Sequence, residues 1–233
     1  MTTVIGEVDR TGAVAAIRGG LVVSCQAPPH SPMAASHVIA AVAAAVECGG
    51  ASGLRIASPE HVAAVRAHTA LPIVGLTKRY GDASPRPFIT PDFDDCARLV
   101  EAGADILAVE AVADSRRPGE IADLFARVSD ELGAPIMADV STLAEGVHAW
   151  DAGAALVATT LSGHTSSTTG RPQPDLDLLG ALAASGVRAV LEGGVTVPSE
   201  VTAALAAGAW SVVVGTAISD PRALAARFAG GLR

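Results

Sequence analysis

The apolar run Leu71-Pro72-Ile73-Val74-Gly75-Leu76-Thr77-Lys78 ends in one charged residue and points to the fold. Short runs of this kind, rich in β-branched residues, are typical of strands buried on both faces, as in a parallel sheet. The run is followed by Arg79-Tyr80-Gly81, which indicates a loop at the end of the strand. The Lys78 ammonium is therefore either a charge inside a cleft or a solvated loop residue.

Seven further runs of this kind alternate with alanine-rich amphipathic segments along the 233 residues. The eight predicted strands are residues 20–24, 53–57, 72–77, 105–109, 135–140, 155–160, 188–191 and 210–214. The predicted helices are residues 36–48, 59–68, 91–102, 120–132, 142–152, 176–184, 198–207 and 221–228, with a short extra N-terminal helix at residues 8–17. This alternation predicts an α/β fold, a (β/α)8 TIM barrel that forms a single domain over residues 1–233. A doubly wound open sheet is the alternative, but no GxGxxG follows the first strand.

Helix boundaries carry repeated signals. A capping side chain precedes a proline, which predicts a helix start, at Ser58-Pro59, Thr90-Pro91 and Asp220-Pro221. A glycine in a left-handed turn is expected to end the helix before an apolar run at Gly103, Gly153 and Gly208. The recurrence indicates a repeated βα unit.

Composition restricts the classes of function. The net charge is −8 and no Lys/Arg cluster is longer than Arg116-Arg117, so we expect no nucleic-acid partner. There is no charged segment followed by an apolar one at Met1, and no apolar stretch long enough to span a bilayer. The three cysteines, Cys25, Cys48 and Cys96, show no disulfide framework. We therefore expect a cytoplasmic protein without membrane association.

Five charged residues fall at or near predicted strand ends: Arg55, Lys78, Glu110, Asp139 and Glu192. Charges within apolar runs are costly unless they are paired or face a cavity. Chemistry in such barrels takes place at the C-terminal ends of the strands, so we expect these residues to meet at the mouth. A lysine opposite a carboxylate suits proton abstraction next to a carbonyl, and it suits Schiff-base chemistry equally; the spacing does not separate the two.

Glycine-containing loops follow the last two predicted strands, at Gly193-Gly194 and Gly215-Thr216. Barrels commonly bind phosphate there, because glycine lets backbone N–H groups approach an anion. We expect no metal site, since no strand end offers paired histidines and only His164, and more loosely His30, reaches the mouth. Cys25 is expected to be a buried thiol rather than a nucleophile, because no histidine lies next to it.

Several motifs, in order from about residue 17 to residue 228, resemble those of N-acetylmannosamine-6-phosphate 2-epimerases. They are Gly19-Gly20-Leu21-Val22-Val23-Ser24-Cys25-Gln26-Ala27, Val74-Gly75-Leu76-Thr77-Lys78-Arg79, Met137-Ala138-Asp139-Val140-Ser141-Thr142, Thr159-Thr160-Leu161-Ser162-Gly163-His164-Thr165, Leu191-Glu192-Gly193 and Val212-Val213-Val214-Gly215-Thr216-Ala217-Ile218. The first motif is the most specific, and the others add weight mainly through their order.

The resemblance implies a (β/α)8 barrel that interconverts N-acetylmannosamine 6-phosphate and N-acetylglucosamine 6-phosphate. Such an enzyme would be a cofactor-independent isomerase of sialic-acid and amino-sugar catabolism, inverting C2 by proton transfer. It would need acid–base groups on both faces of C2, or one group and a substrate hydroxyl acting as relay. The expected partner is the amino-sugar phosphate, and a homodimer is an open alternative to a monomer.

The resemblance also implies roles for individual residues. It implies that Lys78 and Glu192 are catalytic, and which of them performs which proton transfer stays open. Sugar contacts are implied for Gln26, Arg55 and Asp139, and we expect Thr160 and His164 beside them. We expect the phosphate at Gly193, Gly194, Gly215, Thr216 and Arg222.

Three positions depart from the pattern of many family members. Glu110 stands where many have aspartate, Ser162-Gly163-His164 where many have histidine-glycine-tyrosine, and Asp220 where many have an arginine that holds phosphate. We expect Asp220 to cap the last helix instead, so that Arg222 or backbone N–H groups hold the phosphate. Two alternative functions stay open: a Schiff-base aldolase or lyase on a phosphate-binding barrel, and a non-catalytic sugar-phosphate-binding protein.

Overall fold

The computed structural model describes residues 10–28, 30–81 and 86–231, and its elements are numbered here in chain order. The strands are β1 (Leu21–Cys25), β2 (Gly53–Ala57), β3 (Ile73–Leu76), β4 (Lys78–Arg79), β5 (Phe88–Ile89), β6 (Ile106–Glu110), β7 (Ile136–Asp139), β8 (Leu156–Ala158), β9 (Ala189–Glu192) and β10 (Ser211–Val214). Eight of them form a closed barrel in the order β1-β10-β9-β8-β7-β6-β3-β2, and every neighbouring pair is parallel. The predicted (β/α)8 barrel is confirmed; the single domain over residues 1–233 stays a prediction.

Helices surround the barrel in the predicted alternation. They are α1 (Arg10–Ala16), α2 (Ser36–Cys48), α3 (Pro59–Arg66), α4 (Phe93–Glu101), α5 (Pro118–Leu132), α6 (Leu143–Asp151), α7 (Leu176–Ala184), α8 (Pro198–Ala206), α9 (Thr216–Ser219) and α10 (Pro221–Gly230). The sequence did not indicate the short helix α9. The extra N-terminal helix is confirmed as α1, and residues 8 and 9 of that prediction lie outside the described residues.

Two of the three predicted helix caps are confirmed. The Ser58 side chain accepts a hydrogen bond from the His61 N–H, and Asp220 accepts one from the Ala223 N–H. The Thr90-Pro91 prediction is wrong, because α4 begins at Phe93 and the Asp92 side chain caps it. The Thr90 hydroxyl instead accepts a hydrogen bond from the Thr77 N–H. The predicted helix stops are confirmed by left-handed φ angles of 101°, 103° and 96° at Gly103, Gly153 and Gly208.

The period of two along each strand divides the core into two layers. Inward-facing side chains such as Val74, Ile106, Met137, Leu156 and Val213 fill the barrel. Their outward-facing neighbours pack beneath the helices, among them Ile73, Leu107, Ala138, Val157 and Val212. Both layers are built almost wholly from aliphatic side chains, as the 3% aromatic content requires. This alternation decides which charged residues face the interior.

Lys78 is not part of a barrel strand, and the predicted loop at Arg79 is wrong. β3 ends at Leu76, and β4 then pairs antiparallel with β5, with Lys78 opposite Ile89 and Arg79 opposite Phe88. This two-stranded sheet, residues 78–79 with 88–89, is called the lysine ribbon below. It stands at the C-terminal end of β3, so the lysine still lies at the barrel mouth. Within the described ranges, no helix combines the length and the apolar character needed to cross a membrane.

Candidate active site

A cavity of about 630 Å³ opens at the C-terminal ends of the barrel strands. Its size falls within the range of roughly 300–1,000 Å³ that is typical of small-molecule sites. Seven of the predicted site residues line it: Gln26, Lys78, Glu192, Gly193, Gly194, Gly215 and Thr216. The cavity thus brings together the proposed chemical residues and the glycine loops that follow β9 and β10.

Arg55 and Asp139 form a buried ion pair across the barrel interior. Arg55 lies in β2 and Asp139 is the last residue of β7, and strand alternation points both side chains inward. The Arg55 Nη2 lies 2.6 Å from Asp139 Oδ2, and Nη1 lies 3.1 Å from Oδ1. The Thr160 hydroxyl donates a further hydrogen bond to Asp139 Oδ1 at 2.7 Å. The guanidinium is therefore held in one orientation by a two-pronged contact.

Glu192, at the end of β9, brings a second carboxylate to the same guanidinium. Its Oε2 lies 2.7 Å from Arg55 Nη1, but the contact is not aligned as a hydrogen bond. The Nη1 hydrogens are directed to Asp139 Oδ1 and to Met137 Sδ, the latter at 3.5 Å. Arg55 Nε is also buried, with no hydrogen-bond partner among the described residues. Glu192 is thus attracted electrostatically but not fully bonded.

Lys78 is the single lysine of the chain, and its side chain lines the cavity from the lysine ribbon. It lies two residues after Leu76, whose side chain faces the barrel interior, and it points to the same side. The residue is solvent-accessible, yet the cavity walls remove much of the water around its ammonium. This desolvation lowers the pKa of Lys78 below 10.5, and the Arg55 charge lowers it further against the opposing pull of Glu192 and Asp139.

The pKa of Glu192 moves in the opposite direction. Burial raises the pKa of Glu192 to about 7, and the Asp139 carboxylate adds to the rise, while Arg55 and Lys78 oppose it. Burial alone would lower the pKa of the Arg55 guanidinium, but Asp139 and Glu192 together raise it above its ordinary value. Arg55, which does not itself line the cavity, is thus a permanent cation in contact with Glu192, and the pKa values of Lys78 and Glu192 are displaced in the direction of neutrality. Such displacement is what general acid–base chemistry near pH 7 requires.

Gln26 presents an acceptor to the cavity. Its Nε2 donates to Ser24 Oγ at 2.8 Å, which orients the amide. Its Oε1 is buried and has no hydrogen-bond partner among the described residues. A buried acceptor of this kind is costly unless a ligand satisfies it, so Gln26 can receive a hydroxyl or amide N–H from a bound molecule.

The glycine loops after β9 and β10 form the other part of the cavity wall. Gly193 and Gly194 have φ values of 107° and 69°, in the left-handed region that glycine adopts without strain. A Cβ on Gly194 would lie 2.4 Å from the Gln173 Cβ, so the loop can be this close only with glycine there. The backbone is thereby open to close approach by an anion.

The structure places Arg227, rather than the predicted Arg222, on the cavity wall. Asp220, the N-cap of α10, lines it together with Ala223, Leu224 and Arg227 of that helix, at the i, i+3, i+4 and i+7 spacing of one helix face. Arg222 is not among the cavity-lining residues. Sequence reasoning missed Arg227, although its spacing from the predicted cap Asp220 is a usable signal.

The remaining predicted residues lie around this centre. Thr160 reaches the site through Asp139. The side chain of His164 does not line the cavity, and its backbone oxygen accepts a hydrogen bond from Arg86 Nε at 3.2 Å. Burial raises the pKa of Cys25 to about 12, which keeps it a thiol, as predicted. The described residues contain no group of three or more His, Cys, Asp or Glu side chains arranged to hold a metal ion.

The fold and the cavity together define a (β/α)8-barrel enzyme with a candidate proton-transfer site at its mouth. The model of the family described as "Putative N-acetylmannosamine-6-phosphate epimerase" matches residues 39–233. The chain belongs to this family, as its motifs predicted.

Relatives agree over most of the chain. A "Putative N-acetylmannosamine-6-phosphate 2-epimerase" of Thermosynechococcus vestitus is 47% identical over 204 residues, which cover 87% of this chain and 89% of the relative. One of the same name from Klebsiella pneumoniae subsp. pneumoniae is 40% identical, over 86% of this chain and 84% of the relative.

Solved structures agree as well. The N-acetylmannosamine-6-phosphate 2-epimerase from Clostridium perfringens superposes with a TM-score of 0.85 at 32% identity, covering 93% of this chain and 95% of the other. A 3-hexulose-6-phosphate synthase superposes with a TM-score of 0.62 at 20% identity, covering 89% of this chain and 95% of the other, and shows the shared fold alone.

Proposed function

We propose that this protein interconverts N-acetylmannosamine 6-phosphate and N-acetylglucosamine 6-phosphate. The observation that carries the proposal is the pairing of Lys78, whose pKa is lowered, with Glu192, whose pKa is raised to about 7, in one cavity. A lysine whose pKa is lowered and a carboxyl group whose pKa is raised can each give or take a proton during turnover. Substrate and product are isomers at the same oxidation level, and C2 lies next to the C1 carbonyl of the open-chain sugar, so proton transfer by these two groups is sufficient to invert C2.

The chemistry begins with the open-chain sugar, whose C1 aldehyde acidifies the proton on C2. One group of the pair removes that proton as a base, and the electrons move into a C1–C2 double bond with negative charge on O1. The other group then returns a proton to C2 from the opposite face, which inverts that carbon. The aldehyde re-forms, and exchange with water restores the starting protonation of both groups.

Arg55 and Asp139 support this step in our proposal. The Arg55 guanidinium is a permanent cation beside the pair, so it can offset negative charge that develops on O1. Asp139 holds the guanidinium by two hydrogen bonds and is itself held by Thr160. The free Oε1 of Gln26 would accept a hydrogen bond from the sugar. His164 is proposed to contribute through its loop, because its side chain lies off the cavity wall.

The phosphate is proposed to lie against Gly193, Gly194, Gly215 and Thr216. Barrels bind phosphate in the loops after their last two strands, and these residues are in those loops. Arg227 supplies a cation on the adjacent wall. The Asp220 carboxylate accepts the Ala223 N–H as the cap of α10, which gives this residue a role that does not involve the phosphate.

The function is tested by proton NMR of N-acetylmannosamine 6-phosphate with the protein in deuterated water. We expect N-acetylglucosamine 6-phosphate to appear with deuterium at C2, because the proton returned to C2 comes from a group that exchanges with solvent. Neither deuterium at C2 nor epimer after prolonged incubation would overturn the proposal. Unphosphorylated N-acetylmannosamine, run in parallel, measures how far the activity depends on the phosphate.

The two alternatives give different results with the same substrate. A Schiff-base enzyme would be inactivated by borohydride in the presence of substrate, with the substrate mass added to Lys78. Because Lys78 is the single lysine, intact-protein mass spectrometry would detect that adduct directly. A binding protein without activity would show a ligand-induced rise in melting temperature but no deuterium exchange, and Lys78→Ala would leave that rise unchanged.

The phosphate contact is tested by comparing Arg227→Ala with Arg222→Ala. A charge-assisted hydrogen bond contributes about 1.5–3 kcal/mol, so we expect KM for the phosphorylated sugar to rise roughly ten- to hundredfold in Arg227→Ala. The matched change at Arg222, which is earlier on α10 and is off the cavity wall, should leave KM within about twofold. Equal effects of the two substitutions would remove Arg227 from the phosphate site.

The cell compartment and assembly are further parts of the proposal. A cytoplasmic location is supported by the doubly charged substrate, which does not cross a bilayer unaided. A homodimer is supported by exposed apolar residues, of which Phe228 on α10 is 80% exposed. Light scattering of the purified protein measures the mass and decides between monomer and dimer.

A further inference from the structure

The position of Lys78 depends on what anchors the lysine ribbon, because the residue lies beyond the end of β3. A two-residue strand pair has few hydrogen bonds of its own and is not stable in isolation. Its partner residue, Ile89, faces Lys78 directly in the antiparallel pairing. Whatever holds Ile89 in place therefore also places the backbone of the lysine.

Glu110 holds the ribbon from the barrel. It is the last residue of β6 and is fully buried, in register with Asp139 on β7. Its Oε2 accepts hydrogen bonds from the Ile89 N–H at 3.1 Å and from Arg86 Nη1 at 2.7 Å. Its Oε1 accepts a hydrogen bond from Arg86 Nη2 at 3.0 Å. One carboxylate thus connects a barrel strand both to the residue opposite Lys78 and to the segment that leads into it.

The backbone between ribbon and α4 is also constrained. Thr90 follows Ile89 and has a φ of 45°, which a β-branched residue adopts only when its surroundings impose it. Thr77 donates its N–H to the Thr90 hydroxyl, and Thr90 donates its N–H to the Thr77 oxygen. On the outer side, Arg79 pairs with Asp92 and Asp95. The ribbon is therefore held in one conformation, with Glu110 as its link to the barrel interior.

We propose that Glu110, acting through Ile89 and Arg86, is a positioning residue that sets where the Lys78 ammonium lies in the cavity. The charge of Glu110 is matched by Arg86, and both of its oxygens are used on the ribbon side. The carboxylate is thus occupied in holding the ribbon and is not placed to transfer a proton. A small displacement of a reacting group lowers the rate strongly, by about a hundredfold for roughly 1 Å.

The reach of the Glu110 side chain is what the proposal depends on. Many family members have aspartate at this position, but in this chain the glutamate makes the contacts to Ile89 and Arg86, and we expect a side chain one methylene shorter to lose at least one of them. The lysine should then move towards solvent, away from Arg55, and its pKa should rise. The kinetic part of this inference rests on the proposed function, whereas the position of Lys78 can be measured without turnover.

The test uses untagged protein labelled with ¹³C-lysine, which gives a single Lys78 signal. We compare wild type with Glu110→Asp and Arg86→Lys, recording the ¹³Cε shift against pH and the steady-state kinetics. We expect a displaced signal, a pKa moved upwards, kcat lower by roughly ten- to hundredfold and KM within about threefold. Arg86 is partly exposed and Arg86→Lys retains its charge, so we expect this variant to fold. It provides the test if Glu110→Asp does not fold.

Asp105→Asn is the matched control. Asp105 directly precedes β6, whose last residue is Glu110, and it likewise accepts hydrogen bonds from an arginine, Arg66, and from a strand N–H, that of Ile73. It should lower the melting temperature without changing the Lys78 signal or kcat. If Glu110→Asp and Arg86→Lys both show the same Lys78 titration and the same kcat as the wild type, the proposal is overturned. If the Lys78 signal is displaced but kcat is unchanged, Glu110 does position the lysine. The proposed catalytic role of Lys78 would then be wrong.

Discussion

Two arginine–carboxylate clusters at opposite ends of the barrel differ in how completely they are bonded. At the N-terminal end, Arg66 donates to the backbone oxygens of Gly103, Thr69 and Leu71 and to Asp105. At the C-terminal end, Arg55 is more deeply buried, with its side chain 1% exposed against 28% for Arg66. Yet Arg55 Nε has no hydrogen-bond partner among the described residues. The contact between Arg55 Nη1 and Glu192 Oε2 is not aligned as a hydrogen bond.

This difference is what we expect between a cluster that only stabilises the fold and one that takes part in chemistry. A buried charge is stable when its hydrogen bonds are complete, and Arg66 comes closer to that condition, because all three of its nitrogens donate a hydrogen bond. Arg55 faces two carboxylates, Asp139 and Glu192, and fully bonds only the first. Burial raises the pKa of Glu192 to about 7 against the opposing charge of Arg55, so this carboxyl group can exchange a proton near neutral pH. The mouth of the barrel thus keeps an electrostatic imbalance that the opposite end lacks.

Removing the incompletely bonded carboxylate should have the largest effect on activity. We expect Glu192→Gln to lower kcat for deuterium exchange at C2 by roughly 10²–10⁴-fold, the usual contribution of a general acid or base. The free energy of unfolding at pH 8 should not fall, because the variant removes a buried charge that is costly there. Both quantities are measured on one preparation, by NMR and by urea denaturation. Activity within tenfold of wild type would contradict the chemical role of this cluster.

Neutralising the fully bonded carboxylate of each cluster should distinguish the two ends. Asp139→Asn leaves a buried guanidinium without its main partner, and we expect a loss of about 3–5 kcal/mol in unfolding free energy together with a marked loss of turnover. Asp105→Asn should lose stability as well, but its turnover at C2 should stay within about threefold of wild type. Thermal denaturation and initial rates measure both. Equal losses of turnover in Asp139→Asn and Asp105→Asn would contradict a functional difference between the two ends of the barrel.

The raised pKa of Glu192 predicts a pH-dependent stability. The folded pKa is about 7, against 4.5 as the ordinary value, so the folded state binds the proton more tightly than the unfolded chain. This stabilisation is fully present below about pH 4.5 and is lost as the pH rises through 7. Relative to Glu192→Gln, wild type should therefore lose up to about 3 kcal/mol of unfolding free energy between pH 5 and pH 8.5. Urea titrations of both proteins at each pH measure this, and a constant difference would contradict the raised pKa.

The smallest effect is expected at the outer edge of the chemical cluster. Thr160→Val removes one hydrogen bond to Asp139 Oδ1 and keeps the shape of the side chain. A hydrogen bond to a charged group contributes about 1.5–3 kcal/mol, and we expect the lower part of that range, since two bonds from Arg55 remain. Turnover should fall less than tenfold. A loss as large as that of Asp139→Asn would mean that Thr160 itself contacts the substrate.

Strand alternation made much of the site predictable. Arg55, Asp139 and Glu192 each follow an outward-facing aliphatic residue in a short buried strand, so each must face the interior. Two glycine loops after the last two strands were equally readable. Family motifs then connected these residues to a reaction, and the family was confirmed over residues 39–233.

Other features depended on contacts between distant parts of the chain. Thr90-Pro91 has the pattern of a helix start, but the Thr90 hydroxyl bonds to Thr77 across the lysine ribbon. Arg222 precedes Arg227 in sequence, yet the rotation of α10 brings only the latter to the cavity wall. Glu110 reads as one more charge at a strand end, and only its bonds to Ile89 and Arg86 show that it faces the ribbon.

The sequence by itself determined the barrel, the inward direction of its charged residues and the position of Lys78 just past the third strand. These follow from local periodicity, which needs no knowledge of distant residues. Only the tertiary structure decided that Lys78 lies on a separate ribbon, that Glu110 anchors it, and that Arg55 bonds Asp139 fully and Glu192 incompletely. Hydrogen-bond alignment and desolvation depend on atoms from several strands at once, and no single segment of sequence contains them.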